Sequence, residues 1–467
     1  MQPKVRNSIS DKLLNLRLYE NLKVCTHLND FIDNLEPHLS PIYGDPSERG
    51  VNSGGYLLDE GFLKPFSTVS GNDGNLYQRI GPAKEILFKP EEVKAGILTC
   101  GGICPGLNVV IREIFMTLYY NYQVKDIYGI KYGYQGIYTD MDKSYIKLST
   151  SDVSDIHKKG GSILGSSRGG FELNKIVDAL VKNGINMLFI IGGDGTHKGI
   201  KEISNECIRR KLKITIAGIP KTIDNDIPII DFTFGFETAV QEAVKVIEAA
   251  NIEATSAVNG VGIVKLFGRS CGFISMFASM ASRDVNVCII PEEKFELYGE
   301  KGLLSYIIRR VKEKGHCVIV IAEGAGDGLI DYKIEETGKT DKSGNKTLPD
   351  IGKIIKDELT SFSKKIDFEL TIKYIDPTYI IRAVPTNSHD TYYCARIASN
   401  AVHGTFAGFT GFTSGVVNLK GCIIPINYLN DVGLKKIDPK HSSDYFYLIG
   451  STGQPAFKSK KDEKIDS

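Results

Sequence analysis

The chain has 467 residues, a hydrophobic content of 42%, a charged content of 24% and a formal net charge of +1. These values are those of an ordinary globular protein long enough for two or three lobes. The near-zero charge provides no electrostatic footprint for nucleic acid or an anionic membrane, so any recognition of an anion must be local.

Nine cysteines are scattered along the chain, and several lie in apolar runs, such as Cys288 in V-N-V-C-I-I and Cys317 in C-V-I-V-I. This pattern favours reduced, buried thiols in an intracellular protein, for which we predict a cytoplasmic location. Cys100 and Cys104 lie close enough to suggest a metal site, but no second cysteine or histidine pair follows at ligand spacing. No apolar stretch reaches the ~18 residues of a membrane span.

The pattern of apolar and polar residues changes near Val93. Residues 1–92 alternate short apolar patches with turn signals, which predicts an irregular N-terminal extension that wraps a neighbouring lobe or subunit. From residue 93 to 457, short apolar strands alternate with amphipathic helices, which predicts an α/β catalytic region with mostly parallel sheets. Residues 458–467 are predicted to form a solvated tail.

The predicted elements follow in chain order. The strands are Val93–Thr99, Asp126–Lys131, Met187–Ile191, Lys213–Ile219, Val261–Leu266, Val285–Ile290 and Cys317–Ala322. The helices include Leu107–Tyr120, Thr238–Ala250, Phe273–Ser282 and His389–Ala407, and a β stretch follows at Gly411–Ile426. The helix at 273–282 is apolar nearly all round, which predicts deep burial. Because ligands bind beyond the carboxyl ends of parallel strands, the loops that follow these strands are the places to look for a site.

Two of these loops are rich in glycine. T-C-G-G-I-C-P-G-L-N at 99–108 opens directly into a helix, and its glycines allow backbone N–H groups to approach an anion closely. I-L-G-S-S-R-G-G at 163–170 places Arg168 among small residues, where its guanidinium group can bind phosphate oxygens. The alternatives are a tight turn without a ligand and an ordinary surface arginine.

The loop I-I-G-G-D-G-T at 190–196 follows the most apolar strand and carries Asp194 at its mouth. A carboxylate at this point suits a magnesium ion that bridges phosphate groups. The alternative is that Asp194 only caps the following helix. The G-G-D-G-T pattern indicates nucleotide handling without specifying the substrate.

The segment P-K-T-I-D-N-D at 220–226 places two carboxylates two residues apart. If the segment is extended, Asp224 and Asp226 project to one side and Asn225 to the other. One carboxylate is enough for a general base, and the second can interact with a metal or with bound donors. Two acids in an ordinary polar loop are the alternative.

Later strand ends carry further charged groups. K-L-F-G-R-S-C-G at 265–272 contains Arg269, A-E-G at 322–324 contains Glu323, and Y-I-I-R at 379–382 contains Arg382. The cations suit a phosphorylated substrate, and Glu323 suits sugar hydroxyls. Each could instead form a structural ion pair.

With these motifs in this order, the chain resembles the phosphofructokinases from about residue 93 to 457, and most closely the ATP-dependent enzymes of plants and trypanosomes. The resemblance implies two Rossmann-like lobes with the active site in the cleft between them. It also implies phosphoryl transfer from ATP to the 1-hydroxyl of fructose 6-phosphate, Mg²⁺ as cofactor and a homotetramer.

The resemblance assigns roles to individual residues. Asp224 is the general base, and Asp194 holds Mg²⁺. The nucleotide is held by Gly102, Arg168, Gly169, Gly193, Asp194, Gly195 and Thr196. The sugar phosphate is held by Thr222, Ile223, Asp224, Phe267, Gly268, Arg269, Glu323, Tyr379, Ile380, Ile381 and Arg382.

Two positions bear on the phosphoryl donor. In the family, pyrophosphate users have an aspartate in place of Gly195 and a lysine at the position of Lys221, whereas bacterial ATP users have glycine at both. We predict ATP, because an aspartate at Gly195 would crowd the α-phosphate while Lys221 excludes neither donor. The alternatives are a pyrophosphate-dependent enzyme and a catalytically silent sugar-phosphate sensor. A lipid or NAD kinase shares G-G-D-G but is disfavoured by the presence of Y-I-I-R and F-G-R.

One departure from the family concerns the sugar phosphate. Many bacterial members carry an additional arginine before the strand that ends in F-G-R, where this chain has V-N-G-V-G-I-V. Lys373 is therefore a further candidate for holding the sugar phosphate.

Overall fold

A computed structural model describes residues 22–43, 68–70, 74–332 and 348–458. The chain divides into two compact units, each assembled from several pieces of sequence. The first unit comprises residues 1–222, 227–234 and 384–433, and the second comprises 223–226, 235–383 and 434–467, each as far as it is described. The predicted tail lies outside the described residues except for Lys458.

The described residues form strands and α-helices with the following bounds. The strands are β1 Leu22–Lys23, β2 Thr26–His27, β3 His38–Leu39, β4 Thr68–Ser70, β5 Leu76–Arg79, β6 Glu85–Ile86, β7 Lys94–Thr99, β8 Asp126–Ile130, β9 Tyr145–Lys147, β10 Met187–Gly192, β11 Thr215–Pro220, β12 Gly260–Leu266, β13 Val287–Ile289, β14 His316–Ala322, β15 Thr371–Ile375, β16 Phe409–Thr410, β17 Phe412–Val417 and β18 Lys420–Pro425. The helices are α1 Leu107–Met116, α2 Tyr134–Tyr138, α3 Met141–Ser144, α4 Thr150–Val153, α5 Leu173–Asn183, α6 Asp194–Arg209, α7 Phe236–Thr255, α8 Phe273–Ser282, α9 Leu303–Lys314, α10 Ile351–Lys365, α11 Thr378–Arg382, α12 Ser388–Phe406, α13 Ile426–Asp431 and α14 Ser443–Thr452.

The first unit is built on one large sheet with strand order β1-β5-β18-β17-β11-β10-β7-β8-β9, and β4 pairs with β5. Its centre, from β17 to β8, is parallel, whereas β9 and β18 pair antiparallel at its flanks. Every residue of β10 and β11 is buried, which explains why these strands are continuous apolar runs without alternation. Helices α6 and α12 pack on this parallel centre.

Part of the predicted N-terminal extension lies within this first unit. Strands β1, β4 and β5 add to the edge of its sheet, and β2 pairs with β16. The remainder of the extension, at residues 1–21, 44–67 and 71–73, lies outside the described residues. The boundary at residue 92 stays a prediction.

The second unit contains a separate, fully parallel sheet in the order β13-β14-β12-β15. Helices α7, α9 and α10 pack against it, and α8 packs on α7 and α14. Its core contains Val261, Ile263, Ile307, Ile319 and Ile321, all 0% exposed. Burial of side chains of this size contributes about 1.5–3 kcal/mol each. The prediction of an α/β fold with mostly parallel sheets is confirmed.

The observed elements lie close to the predicted ones. Helix α8 has the predicted bounds and is largely buried, as expected. The predicted helix at 107–120 instead ends as an α-helix at Met116 and continues as a π-helical turn, Thr117–Asn121. The β stretch at 411–426 is the antiparallel hairpin of β17 and β18.

All nine cysteines are buried and free, as the sequence predicts. None of the helices within the described ranges is both long and apolar enough to cross a membrane.

Candidate active site

In the first unit, three predicted site loops begin at one edge of the parallel sheet. Thr99 at the end of β7 is paired with Ile191 of β10, and Gly192 at the end of β10 is paired with Pro220 of β11. The carboxyl ends of these three neighbouring strands are therefore level. The loops at 100–106, 193–196 and 221–222 consequently leave the sheet side by side.

The first of these loops requires glycine at two positions. Gly101 has φ +85° and Gly106 has φ +104°, conformations that other residues rarely adopt. A Cβ atom at Gly106 would lie 2.7 Å from Cys394 Sγ and 2.9 Å from Phe234 Cδ2. Gly106 is the N-cap of α1, so the loop ends at the N-terminus of that helix.

The second glycine-rich loop, 163–170, is hydrogen-bonded to the first. Gly101 N–H donates to the Ser167 carbonyl at 2.9 Å, and Ser166 Oγ–H donates to the Gly101 carbonyl at 2.6 Å. Thr99 Oγ1–H donates to the Gly165 carbonyl at 2.6 Å. These contacts bring the exposed Arg168 and its neighbour Gly169 to the same edge as the loop that contains Gly102.

Asp194 lies at the start of α6 with an exposed side chain. The N-cap is Gly193, which has no side chain, and Asp194 occupies the first helical position. The capping alternative therefore does not describe this carboxylate. Tyr134 Oη–H fixes the turn by donating to the Thr196 carbonyl at 2.6 Å.

Lys221 and Gly195 have contrasting surroundings. Lys221 is 9% exposed, its N–H donates to the Gly192 carbonyl at 2.9 Å, and its Nζ lies 3.8 Å from the Cβ position of Gly101. Gly195 is exposed, and apart from its chain neighbours and its own helix backbone, no atom of the described residues lies within 4 Å of its Cβ position. The described part of the chain therefore leaves space beside Gly195.

The residues at this edge fit a magnesium ion that is shared with phosphate groups. Mg²⁺ is usually held through one or two carboxylates together with substrate oxygens and water. The exposed carboxylate of Asp194 supplies one such oxygen donor. Within the described ranges, no cluster of three or more histidine, cysteine or acidic side chains forms an all-protein metal site.

In the second unit, the segment that carries the two aspartates is not extended. Asn225 has φ +57°, in the left-handed region, and is 2% exposed. Asp224 and Asp226 are expected to project to one side only in an extended segment, and the left-handed turn at Asn225 interrupts the segment between them. Both are partly buried. Cys271 Sγ–H donates to the Asp224 carbonyl at 3.3 Å, and Lys435 N–H donates to the Asp226 carbonyl at 2.7 Å.

Thr222 and Ile223 lie on either side of the division between the units. Thr222 ends a segment of the first unit with a partly buried side chain, and Ile223 begins a segment of the second and is 8% exposed. Their role in lining the sugar stays a prediction.

The F-G-R and A-E-G loops meet at the carboxyl edge of the second sheet. Leu266 of β12 is paired with Ala322 of β14, Glu323 N–H donates to the Leu266 carbonyl at 2.9 Å, and Gly324 N–H donates to the Gly268 carbonyl at 3.0 Å. Gly268 has φ +132°, and a Cβ there would lie 2.4 Å from the Cys271 carbonyl oxygen.

The surroundings of Glu323 modify its acidity. Burial raises the pKa of Glu323, while the positive charges of Arg269, Lys265 and Arg382 oppose that rise. The same loops thus place two predicted sugar-phosphate ligands, Arg269 and Glu323, close enough to interact.

Arg382 and the segment Tyr379–Arg382 form the short helix α11. The Arg382 guanidinium lies 5.8 Å from the ring centre of Phe267 and 5.1 Å from that of Tyr379, distances typical of cation–π contacts. Its Nε is buried without a hydrogen-bond partner among the residues that the structure describes. Ile381 is fully buried and anchors the helix, whereas Ile380 is 63% exposed.

A group missed by the sequence predictions supports α11. Lys265 Nζ lies 2.8 Å from Asp376 Oδ2 and 3.3 Å from Asp350 Oδ1, and Tyr374 Oη–H donates to Asp350 at 2.6 Å. Asp376 also accepts a hydrogen bond from Thr378 N–H at the start of α11. The sequence D-P-T-Y could have indicated this contact, because an aspartate just before the first helical residues is common at helix starts.

The structure does not bring Lys373 to the sugar-phosphate residues. Lys373 is paired with Gly262, four residues before the end of β12, which corresponds to about 13 Å along the strand. Its Nζ instead lies 3.4 Å from Glu253 Oε2, in an exposed ion pair. The role of Lys373 in holding the sugar phosphate therefore stays a prediction, and its position in β15 does not support it.

In a comparison with known protein families, residues 94–405 match the family model described as Phosphofructokinase. Similar relatives include ATP-dependent 6-phosphofructokinase 7 of Arabidopsis thaliana, 46% identical over 93% of this chain and 89% of the relative. ATP-dependent 6-phosphofructokinase 1 of the same plant is 48% identical over 94% and 92%. The ATP-dependent 6-phosphofructokinase of Borreliella burgdorferi is 47% identical over 81% and 85%.

Solved structures share the fold at low sequence identity. A phosphofructokinase from Pichia pastoris matches with a TM-score of 0.59 and 23% identity, over 72% of this chain and 35% of that one. A pyrophosphate-dependent phosphofructokinase from Marinobacter aquaeolei matches with a TM-score of 0.61 and 19% identity, over 78% and 93%. These likenesses support the fold alone.

Proposed function

This chain belongs to the phosphofructokinase family, and we propose that it transfers the γ-phosphoryl group of ATP to the 1-hydroxyl of D-fructose 6-phosphate, giving fructose 1,6-bisphosphate. One observation carries the proposal: β7, β10 and β11 end level with one another, so that two glycine loops, Asp194 and Lys221 lie at one sheet edge. Relatives about half identical to this chain are named as ATP-dependent enzymes.

The first unit would hold the nucleotide. The backbone N–H group of Gly102 and those of the loop at 193–196, at the N-terminus of α6, would bind phosphate oxygens. Arg168 and Lys221 would add positive charge, Arg168 through its planar fork and Lys221 as a point charge. Phosphoryl transfer passes through a loose transition state, so positioning and charge neutralisation are the main requirements.

Mg²⁺ would be held by Asp194 and by phosphate oxygens of the nucleotide. When bound, it would supply charge neutralisation at the transferring phosphoryl group.

The second unit would hold the sugar phosphate and the base. Asp224 would accept the proton of the 1-hydroxyl, which requires only that it is ionised and within hydrogen-bonding reach. Arg269 and Arg382 would bind the 6-phosphate, and Glu323 would accept from sugar hydroxyls. Arg382 suits this task because its Nε has no hydrogen-bond partner among the residues that the structure describes.

A coupled assay with fructose 6-phosphate, Mg²⁺ and either ATP or pyrophosphate tests the proposal. We expect turnover with ATP and little with pyrophosphate. Turnover with pyrophosphate alone would identify a pyrophosphate-dependent enzyme, and binding of the sugar phosphate without turnover would identify a sensor subunit.

We further propose a homotetramer and a cytoplasmic location. Tyr379 and Ile380 are 74% and 63% exposed on α11, which suits a site completed by a second subunit. The nine free thiols suit a reducing compartment. A fully active monomer in light scattering would contradict the first statement, and activity in an organelle fraction of the source cells would contradict the second.

A further inference from the structure

In the second unit, a carboxylate with no assigned role binds the turn that contacts the backbone of the candidate base. Glu292 follows β13, and its Oε1 accepts from Gly272 N–H at 3.1 Å and from Ile437 N–H at 3.0 Å. Its Oε2 is buried and has no hydrogen-bond partner in the described part of the chain. Burial raises the pKa of Glu292, against the effect of these N–H groups.

The two segments that Glu292 joins each contact the aspartate loop. Cys271, next to Gly272, donates its S–H to the Asp224 carbonyl at 3.3 Å. Lys435, two residues before Ile437, donates its N–H to the Asp226 carbonyl at 2.7 Å. Glu292 therefore joins the two segments that carry these donors, and the donors bind the carbonyls of the residues before and after Asn225.

The loop needs such support because of its backbone. Asn225 has φ +57°, a left-handed conformation that residues other than glycine adopt only uncommonly. Conformations of this kind persist only when their surroundings fix them. Hydrogen bonds to the carbonyls on both sides of Asn225 do so.

Two further features suit this arrangement. Gly272 has no side chain, and a Cβ there would lie 2.3 Å from Ile290 Cγ2 and 3.3 Å from Glu292 Oε2, so glycine permits the close approach. Burial, with the negative charges of Asp224, Asp226 and Glu292, raises the pKa of the Cys271 thiol. The thiol therefore keeps the proton that it donates.

We propose that Glu292 is a positioning residue for Asp224, because it ties together the Cys271–Gly272 turn and the segment at 435–437 that fix the aspartate loop. The proposal rests on the proposed function in taking Asp224 as the base. It predicts that Glu292 acts on turnover through the backbone of the loop without touching a substrate.

Three changes test the bridge. Glu292→Leu removes the acceptor at similar volume, Glu292→Gln retains an oxygen that can accept both N–H groups, and Glu313→Leu on α9 is the exposed control. We expect Glu292→Leu to lower kcat by about tenfold or more with the KM for ATP changed less than about twofold, and Glu292→Gln to retain most of kcat. Equal losses of kcat in the leucine and glutamine variants, or no loss in either, would overturn the proposal.

Cys271 provides a second test that survives if Glu292→Leu fails to fold. Cys271→Ser keeps a donor and Cys271→Ala removes it, so the serine variant should retain more kcat. If both residues act on one loop, the double variant Glu292→Leu/Cys271→Ala should lose less than the product of the single losses. Independent, multiplying losses would contradict a shared action.

Amide hydrogen exchange separates this proposal from the proposed function, because it needs no turnover. Glu292→Leu should speed exchange at residues 225–227 and leave the central amides of α7 unchanged. Unchanged exchange at 225–227 would overturn the positioning role even if the enzyme is active. A wild-type protein without any phosphoryl transfer would contradict the proposed function and leave the exchange result standing.

Discussion

The ammonium group of Lys221 lies 3.8 Å from the position that a Cβ atom would occupy at Gly101. Lys221 is 9% exposed, and its backbone is bonded to Gly192 at the end of the neighbouring strand. A cation is thereby placed between two loops that carry backbone donors. In the proposed function, Lys221 would serve either phosphoryl donor, because an ammonium group attracts phosphate whether the donor is ATP or pyrophosphate.

We predict that Lys221→Met weakens the use of ATP about tenfold to a hundredfold. A hydrogen bond to a charged group contributes about 1.5–3 kcal/mol, and about 1.4 kcal/mol corresponds to a factor of ten. The measurement is kcat/KM for ATP at saturating fructose 6-phosphate. Lys182→Met, at an exposed position in α5, is the control and should match the wild type. Equal values for the two variants would remove Lys221 from the nucleotide site.

We predict that Asp224→Ala or Asp224→Ser lowers kcat by at least ~10² and leaves ATP affinity roughly intact. The reason is that we assign Asp224 to the sugar hydroxyl and the nucleotide to residues of the first unit. Turnover is measured at saturating substrates, and ATP affinity by calorimetry. Asp224→Asn, which keeps the volume and removes the charge, should lose turnover to a similar degree. Unchanged turnover in these variants would assign the base elsewhere.

We predict that Lys265→Met raises the KM for fructose 6-phosphate several-fold. Burial lowers the pKa of Lys265, but the negative charges of Asp376 and Asp350 together have the larger effect and raise it. Burial likewise raises the pKa of Asp376, but the hydrogen bond from Lys265 opposes this rise and the pKa of Asp376 is lowered. Loss of this cation should release Asp376, and with it the start of α11. We expect the free energy of unfolding to fall by about 1–3 kcal/mol at neutral pH.

The neighbouring strand offers a matched control for Lys265. Lys373 on β15 forms an exposed ion pair with Glu253, and such pairs contribute about 0–1 kcal/mol. Lys373→Met should therefore leave both the KM for the sugar phosphate and the unfolding midpoint nearly unchanged. A larger effect for Lys373→Met than for Lys265→Met would contradict our placement of both side chains.

We predict a pH step in sugar-phosphate affinity that belongs to Glu323. Burial raises the pKa of Glu323, so on acidification it gains a proton at a higher pH than an ordinary glutamate. Only the ionised carboxylate accepts freely from sugar hydroxyls, so affinity should fall as the pH drops through this raised value. Because the folded-state pKa exceeds the unfolded one, protonation favours the folded state, and unfolding does not cause the loss.

The control for this step is Glu323→Gln. The sugar phosphate itself gains a proton near pH ~6, and that change is common to both proteins. The difference in log KM between the wild type and Glu323→Gln should therefore vary with pH through Glu323 alone. Parallel pH profiles for the two proteins would contradict the assignment.

The parallel strands could be predicted within one or two residues because they are buried on both faces and therefore read as apolar runs. β11 begins later than predicted because Ile214 N–H turns back to the Leu212 carbonyl at 2.8 Å, and the strand then starts at Thr215. The loops at the strand ends could be found because glycine and charge interrupt these runs. The sequence therefore predicts the position of the candidate site well.

The supporting contacts of the site could not be predicted in the same way. Glu292 bonds to Ile437, 145 residues further along the chain, and Lys265 pairs with Asp376. Such pairings depend on how the elements pack and leave no local pattern. The left-handed turn at Asn225 had a weak signal, since asparagine tolerates that conformation better than most residues.

We predict that Gly195→Asp weakens the use of ATP by well over tenfold, at ~1.4 kcal/mol per decade. The described part of the chain has room for the new side chain, because apart from chain neighbours and the helix backbone none of its atoms lies within 4 Å of the Cβ position, which is exposed. A carboxylate in the first turn of α6 also interacts favourably with the helix dipole, by about 0.3–1 kcal/mol. The folded state should thus be retained, and the loss should come from crowding and repulsion of the nucleotide's α-phosphate.

Gly195→Ser separates these two causes, because it adds a side chain without charge and should weaken ATP use less than Gly195→Asp does. Thermal unfolding of both variants should occur at or above the wild-type midpoint, which keeps a kinetic loss from being mistaken for misfolding. kcat/KM is measured for ATP and for pyrophosphate in all three proteins. Lys221 is unchanged throughout, so any shift between the donors reports on position 195. Strong wild-type activity with pyrophosphate and none with ATP would overturn the assignment of the donor, since an open space beside Gly195 would then have no nucleotide to accommodate.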